Sequence, residues 1–188
     1  MTKALIVYGT RYGATEMTAE EIANVFRQEG LDVKVVNLKD EKVEDITEYD
    51  LVLIGSGIKM KKWTKEPEQF LKKFQKELAE KKILLFICCG AKYPLDEKVD
   101  VETEIEYARK THLEEKAAKY NLQPIALGLF GGVYNFNKMG WLFRKTLSAV
   151  KPQLEAAGVP ETEPGLYDTR DINSIRNWAK EVAQKVQS

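Results

Sequence analysis

The segment Gly9-Thr10-Arg11-Tyr12-Gly13-Ala14-Thr15 carries the groups that a phosphate monoester needs from a protein. It has a hydroxyl near each end, a glycine inside, and a helical pattern opening at its close. Backbone N–H groups of a glycine-bearing turn point at an anion, and a helix N-terminus adds positive potential. Thr10 and Thr15 would donate their hydroxyls to the same anion, and Arg11 either adds charge or points to solvent. The competing reading is an ordinary turn with Thr15 as N-cap of the helix. No Gly-Lys-Ser/Thr closes the segment, and Gly-x-Gly-x-x-Gly is missing, so it is neither a P-loop nor a dinucleotide fingerprint.

Other residues with chemistry are few. Gly55-Ser56-Gly57 is a stretch with low barriers to peptide rotation. Lys59-Met60-Lys61-Lys62-Trp63 and Lys138-Met139-Gly140-Trp141-Leu142-Phe143-Arg144-Lys145 mix cations with large apolar groups. Such patches suit a flat substrate with carboxylates on Lys or Arg and rings on the aromatics. They equally suit anionic lipid, or a solvated basic face over a core-facing apolar stripe. His112 is the only histidine and is expected at the surface. The two cysteines, Cys88 and Cys89, are adjacent, which gives no disulfide scaffold and implies a reducing, cytoplasmic setting. Cys88 reads as an inert buried thiol, and no base stands beside Cys89 in sequence. No His/Cys cluster suggests a metal.

The elements that must position these groups alternate along the 188 residues. Ala4–Tyr8, Val33–Leu38, Leu51–Ile54, Ile83–Cys88 and Leu122–Phe130 are apolar runs of strand length. Helical patterns cover 15–29, 67–80, 99–120, 138–150 and 171–186, with Gly30 as a C-cap glycine and Pro160–Gly165 as a loop. Continuous apolar strands separated by amphipathic helices predict one α/β domain, a parallel sheet with right-handed crossovers and helices on both faces. Ligands of such sheets bind outside the carboxyl ends of the strands, so the loops after strands one, three, four and five are the place to look. With 44% hydrophobic residues the chain can bury a real core. With 29 basic and 29 acidic side chains it has no net charge to draw it to nucleic acid. The longest apolar run, Ile83–Cys89, is too short to span a membrane, and no signal peptide is expected before the first strand.

Gly9 to Thr15, after a first strand and opening a helix, resembles the FMN phosphate loop of flavodoxins, Thr/Ser-x-Thr-Gly-x-Thr, with Tyr12 where the middle threonine is common. Tyr49–Lys59 resembles the third strand and flavin loop of the flavodoxins called menaquinone-dependent protoporphyrinogen oxidases. Leu127–Tyr134 followed by Trp141–Lys145 resembles their fifth strand and the aromatic-basic insertion after it, and Tyr167–Asp171 the approach to their last helix. The resemblance covers nearly the whole chain. It implies a flavodoxin-like, doubly wound, five-stranded parallel sheet of order 2-1-3-4-5 with FMN as cofactor. By the same resemblance FMN would lie against Thr10, Arg11, Tyr12, Gly13, Ala14 and Thr15. It would also touch Ser56, Gly57, Ile58 and Lys59, and Cys89, Gly90, Ala91, Lys92 and Tyr93. Gly57 is the candidate for the carbonyl that turns to accept the N5 proton of reduced flavin. Ile58, Met60 or Trp63 would cover one ring face, and Tyr93 is a candidate to stack on the ring. Gly131 and Gly132 would either approach the ring or form a turn.

Two functions are compatible with this reading. One is an FMN-dependent oxidoreductase of heme biosynthesis, passing electrons from a porphyrinogen to a quinone, with possible peripheral membrane contact. The other is an electron carrier between protein partners, although typical carriers are strongly acidic. A phosphoacceptor signalling domain of the same architecture needs carboxylates after strand one and an aspartate ending strand three. This chain has Gly-Thr-Arg and Ile-Gly-Ser there.

Overall fold

The computed structural model describes residues 1–94, 96 and 98–187. The chain opens with β1 (Lys3–Gly9), α1 (Ala14–Gln28), β2 (Asp32–Asn37) and β3 (Leu51–Lys59). A short return strand β4 (Lys62–Trp63) leads to α2 (Lys65–Lys73), α3 (Gln75–Leu78) and β5 (Lys82–Cys89). Next come α4 (Val101–Arg109), a π-helical turn (Lys110–Glu114), α5 (Glu115–Lys119) and β6 (Ala126–Gly131). The remainder is β7 (Val133–Asn135), α6 (Trp141–Leu147), a 3₁₀ turn (Ser148–Val150), α7 (Lys151–Ala156), β8 (Glu161–Glu163), β9 (Leu166–Asp168) and α8 (Ile172–Gln187).

The main sheet runs β2-β1-β3-β5-β6 with every pair on this path parallel, which is the expected order of five parallel strands. The continuous apolar runs follow from burial on both faces. Ala4, Ile6 and Tyr8 of β1, with Leu84 and Phe86 of β5, pack under α1 and α8. Leu5, Val7, Leu85 and Ile87 pack on the opposite face against Phe70, Leu71 and Leu78 of α2 and α3 and Leu113 and Ala117 further on. α1 ends as the glycine predicted: Gly30 has φ +86°, its N–H donates to Arg27 O, and the Leu31 N–H donates to Phe26 O.

Several boundaries differ from the sequence expectation. The helix expected over 67–80 is broken at Phe74, which separates α2 from α3. The fifth strand starts at Ala126 rather than Leu122, because Asn121 turns left-handed (φ 54°) and directs Leu122 into the core, and Pro124 has no N–H to offer a ladder. The third strand does not end at Ile54 but runs on to Lys59. The expected loop at 160–165 contains β8, part of a second, antiparallel sheet ordered β7-β9-β8. Three-residue strands are too short to show a period of two. Above this small sheet lies a third apolar cluster of Tyr134, Phe136, Met139, Leu147, Val150, Leu154 and Tyr167.

Glu68 of α2 ties the second helical layer together. Its carboxylate accepts from Lys116, from Lys119 Nζ at 2.6 Å and from Tyr120 Oη at 2.7 Å. Burial pushes this carboxyl up, but the three donors outweigh burial and hold it down at about 2. A depressed folded pKa stabilises above the ordinary carboxylate value and is lost as pH falls through the folded one. Glu68→Gln is therefore expected to lower unfolding free energy at neutral pH by about 1–2 kcal/mol, after discounting for solvent screening. It should also flatten the stability loss between pH 4.5 and about 2. Urea denaturation of both proteins across that range checks it.

Candidate functional site

The turn after β1 is closed by its own residues. The Gly13 N–H donates to Thr10 Oγ1 at 3.0 Å, and Gly13 sits at φ +94° as the N-cap of α1. An added Cβ there would meet only Met17 Cε at 3.9 Å, so conformation rather than crowding requires the glycine. Thr15 is not the cap, and no side chain caps this helix, so the first N–H groups of α1 stay open. Thr15 itself is 1% exposed, and among the described residues its Oγ1 is the buried side-chain oxygen or nitrogen with no hydrogen-bond partner. A buried hydroxyl left unpaired beside open helix N–H groups suits an anionic ligand better than an ordinary cap.

The second wall is the hairpin made by β3 and β4, in which Ile58 pairs with Trp63. Ser56 fixes it: its Oγ accepts the Thr64 N–H at 2.9 Å and donates to Gly57 O at 3.0 Å. The glycines here allow close packing. A Cβ on Gly55 would lie 2.1 Å from Phe86 Cζ, and one on Gly57 would lie 3.2 Å from Thr15 Oγ1. The left-handed turn falls instead on Met60 (φ 49°) and Lys61 (φ 58°), side-chain-bearing residues for which this conformation costs roughly 1–2 kcal/mol each.

The third wall follows β5. Tyr93 N–H donates to Gly90 O at 2.9 Å, and Tyr134 of β7 reaches the same oxygen at 3.4 Å. A Cβ on Gly90 would lie 2.0 Å from Tyr134 Oη. Gln153 of α7 donates to Pro94 O at 3.1 Å, so the residues after β6 hold this loop from two sides.

Together the walls enclose a cleft of about 460 Å³ at the carboxyl ends of β1, β3 and β5. From the first loop Thr10, Arg11, Tyr12, Ala14 and Thr15 line it, while Gly13 shapes the turn. From the hairpin Gly57, Ile58 and Lys59 line it, with Lys59 Nζ 5.8 Å from the Tyr12 ring centre. Ser56 is wholly buried and occupied with Thr64, away from the cleft. From the third loop Cys89, Gly90 and Tyr93 line it, whereas Ala91 is buried elsewhere and Lys92 is exposed. Of the three proposed ring covers only Ile58 reaches the cleft. Met60 is 78% exposed, and Trp63 is buried with its Nε1 donating to His112 O at 2.9 Å.

His112 is thus buried, not at the surface as expected: the π-helical turn carries it inward, edge-on to Tyr107. Burial lowers its pKa, helped by Lys116 and Lys61, and it lies outside the cleft. Cys88 is buried, and Cys89 is partly buried at the cleft wall. Burial pushes Cys88 up to about 12 and Cys89 up to about 11, so both stay protonated at neutral pH. Gly131 packs against the Thr169 carbonyl, where a Cβ would lie 2.1 Å from the oxygen, and Gly132 lines the cleft.

The sequence reading missed part of the lining. Asp96 and Val99 lie on the approach to α4 and Glu104 within it, and Val133, Tyr134, Met139 and Leu147 form a wall from the segment after β6. Of the segment expected as a helix over 138–150, Met139, Leu147 and Val150 are buried, whereas Trp141 is 76% and Leu142 64% exposed, and the Phe143 side chain lies outside the described residues.

A doubly wound parallel sheet with a cleft at the carboxyl ends of its strands is the architecture of the nucleotide-binding α/β proteins. The chain belongs to the flavodoxin domain family, whose model matches residues 5–157 and whose cofactor is FMN. A flavodoxin of Maridesulfovibrio salexigens is 32% identical over 113 residues, covering 53% of this chain and 77% of its own. The protoporphyrinogen IX dehydrogenase [quinone] of Escherichia coli K12 is 24% identical over 182 residues, covering 96% of this chain and 94% of its own. Flavodoxin 2 from Bacillus cereus superposes with a TM-score of 0.56 at 19% identity, covering 98% of this chain and 99% of its own. A flavodoxin from the domain Archaea gives 0.53 at 19% identity and full coverage of both chains.

If the Thr15 hydroxyl is kept for a ligand, removing it should help the empty protein. Thr15→Val is expected to raise the stability of the FMN-free chain by about 1 kcal/mol, since an unpaired buried hydroxyl is lost. Chemical denaturation of the stripped protein measures it.

Proposed function

We propose that this chain is an FMN-dependent protoporphyrinogen IX dehydrogenase that passes electrons to a quinone. The observation that carries the reading is the extra wall after β6. It has its own apolar cluster and turns Met139 and Leu147 toward the cleft, giving an enclosed apolar surface that a carrier with a bare flavin edge does not need. The relative named protoporphyrinogen IX dehydrogenase matches this chain from end to end, including that segment.

In this reading the FMN phosphate sits in the turn from Thr10 to Thr15, on the open N–H groups of α1 and the Thr15 hydroxyl. Ile58 and Tyr93 flank the ring system, Gly90 offers backbone to its polar edge, and Gly57 provides the carbonyl near N5. Bound FMN supplies two-electron transfer, which lets a porphyrinogen be oxidised in two-electron steps with little acid–base machinery from the protein. Arg11, Lys59 and Lys61 offer charge to substrate carboxylates at the rim, and Tyr12 and Tyr134 offer ring faces. The whole chain acts as one FMN-binding unit on the cytoplasmic side of the membrane.

Two measurements test this. Thr15→Val should weaken FMN binding, followed by flavin fluorescence quenching, by about tenfold or more, because a hydrogen bond to a charged group is lost. Unchanged affinity would remove the phosphate turn from the site. Anaerobic oxidation of protoporphyrinogen with a menaquinone analogue should exceed the rate with free FMN; no excess overturns the substrate. The flavodoxin relative keeps an electron carrier as the second reading. Dithionite titration separates the two, a single two-electron stage favouring the dehydrogenase and two resolved one-electron stages the carrier.

A further inference from the structure

The hairpin wall of the cleft is held from behind by a segment far along the chain. Trp63, which pairs with Ile58 across the hairpin, is buried, and its Nε1–H donates to His112 O at 2.9 Å. Lys116 of α5 lies over the same indole, its Nζ 5.4 Å from the ring centre. Ile58, on the opposite strand, lines the cleft. The π-helical turn therefore sets the seat of a residue whose partner touches the ligand space.

His112 is the chain's only histidine, and it is buried where that turn meets Trp63. Ionisable groups reach its surroundings from each element packed there. α4 places Tyr107 edge-on to the imidazole, with ring centres 6.2 Å apart. α5 contributes Lys116 and Glu115, and the hairpin contributes Lys61. β5 brings the apolar Leu85 and Ile87 to the same cluster, and with them the protonated thiol of Cys89. Within the turn Lys110 is exposed and Glu114 is taken by Arg109 at 3.3 Å, while Lys116 is tied to Glu68 of α2. Among the described residues no carboxylate pairs with the imidazole. A proton on this ring adds a positive charge near Lys116 and Lys61 where little water reaches it.

We propose that His112 is a positioning residue that makes the hairpin wall responsive to acid: neutral, it keeps the π turn folded inward with its carbonyl on Trp63, and protonated, it turns outward and takes that acceptor away from the indole. The turn has somewhere to go. It is flanked by α-helix on both sides, and restoring the regular ladder rotates its residues about the helix axis. Burial lowers the His112 pKa, and Lys116 and Lys61 lower it further against Glu115. A histidine lowered on folding supports the inward arrangement above its ordinary value of 6.5 and withdraws that support as pH falls below it. The inference rests on FMN lying against this hairpin and is independent of the substrate.

Fluorescence titration of the full chain with FMN between about pH 8 and about pH 5 tests it. The phosphate of FMN takes up its own proton at about pH 6, so wild type and variants are compared at each pH. Wild-type affinity is expected to fall about tenfold further over this range than that of His112→Gln or His112→Phe, the equivalent of one pH unit of proton linkage. A parallel pH profile in all three proteins, with or without a uniform loss in the variants, overturns the proposal. Both variants alter the core, so wild type supplies a second reading by hydrogen exchange, with and without FMN. Protection of the Trp63 indole N–H, corrected for its intrinsic rate, is expected to fall by about tenfold over the same range while the core amides of β5 keep theirs. Unchanged indole protection also overturns it. A chain that binds no FMN at any pH, yet loses indole protection in acid, overturns the flavin site and leaves the role of His112 standing.

Discussion

Close approaches at four glycines around the cleft govern this molecule: an added Cβ would collide at Gly9, Gly55 and Gly90 and be tight at Gly57. Gly9 meets Thr64 and Pro67, Gly55 lies under the Phe86 ring, Gly57 faces Thr15, and Gly90 meets Tyr134. Each lies at or near the carboxyl end of a parallel strand, where the chain leaves the sheet. Without a Cβ there, the start of α2 closes onto β1 and the hairpin closes onto the first turn of α1. The loop after β5 likewise closes onto β7. The cleft is the space that remains when these approaches are complete. Its dimensions are thus set by backbone contacts within a close-packed core, which yields little to strain, rather than by mobile loops.

The same constraint explains the division of labour between the two sheets. The parallel sheet is saturated on both faces and offers only its carboxyl edge to a ligand. The antiparallel sheet β7-β9-β8 is small and cannot stand alone. It is held by Thr169, whose backbone N–H and hydroxyl both reach Gly132 O, at 3.0 and 2.8 Å, and by the apolar cluster above it. A flavodoxin core thereby acquires a wall that depends on the core for position and in return narrows the cleft.

Most of the parallel sheet was legible in the sequence because buried strands leave continuous apolar runs, and the runs at 4–8, 51–54 and 83–88 could be little else. The turn after β1 was legible for a different reason: hydroxyls at Thr10 and Thr15 bracketing Gly13 form a local pattern. What stayed hidden was non-local. Ser56 looked like a ligand contact, yet its oxygen is taken by Thr64, eight residues on. His112 looked like a surface residue in a charged stretch, but a π-helical turn carries it inward, and no periodicity announces a π turn. Tyr134, Met139 and Leu147 reach the cleft through a sheet whose strands are three residues long. Trp141 and Leu142 broke the helical stripe to face outward, since Gly140 starts α6 later than the pattern implied.

The pairing of β7 with β9 has a consequence for the order in which the protein can be made. The residues of the turn after β1 and of the β3–β4 hairpin all lie in about the first third of the chain. The partner that β7 needs, Leu166–Asp168, emerges almost last, just ahead of α8. A nascent chain therefore has the residues of that turn long before it has those that complete the wall of the cleft.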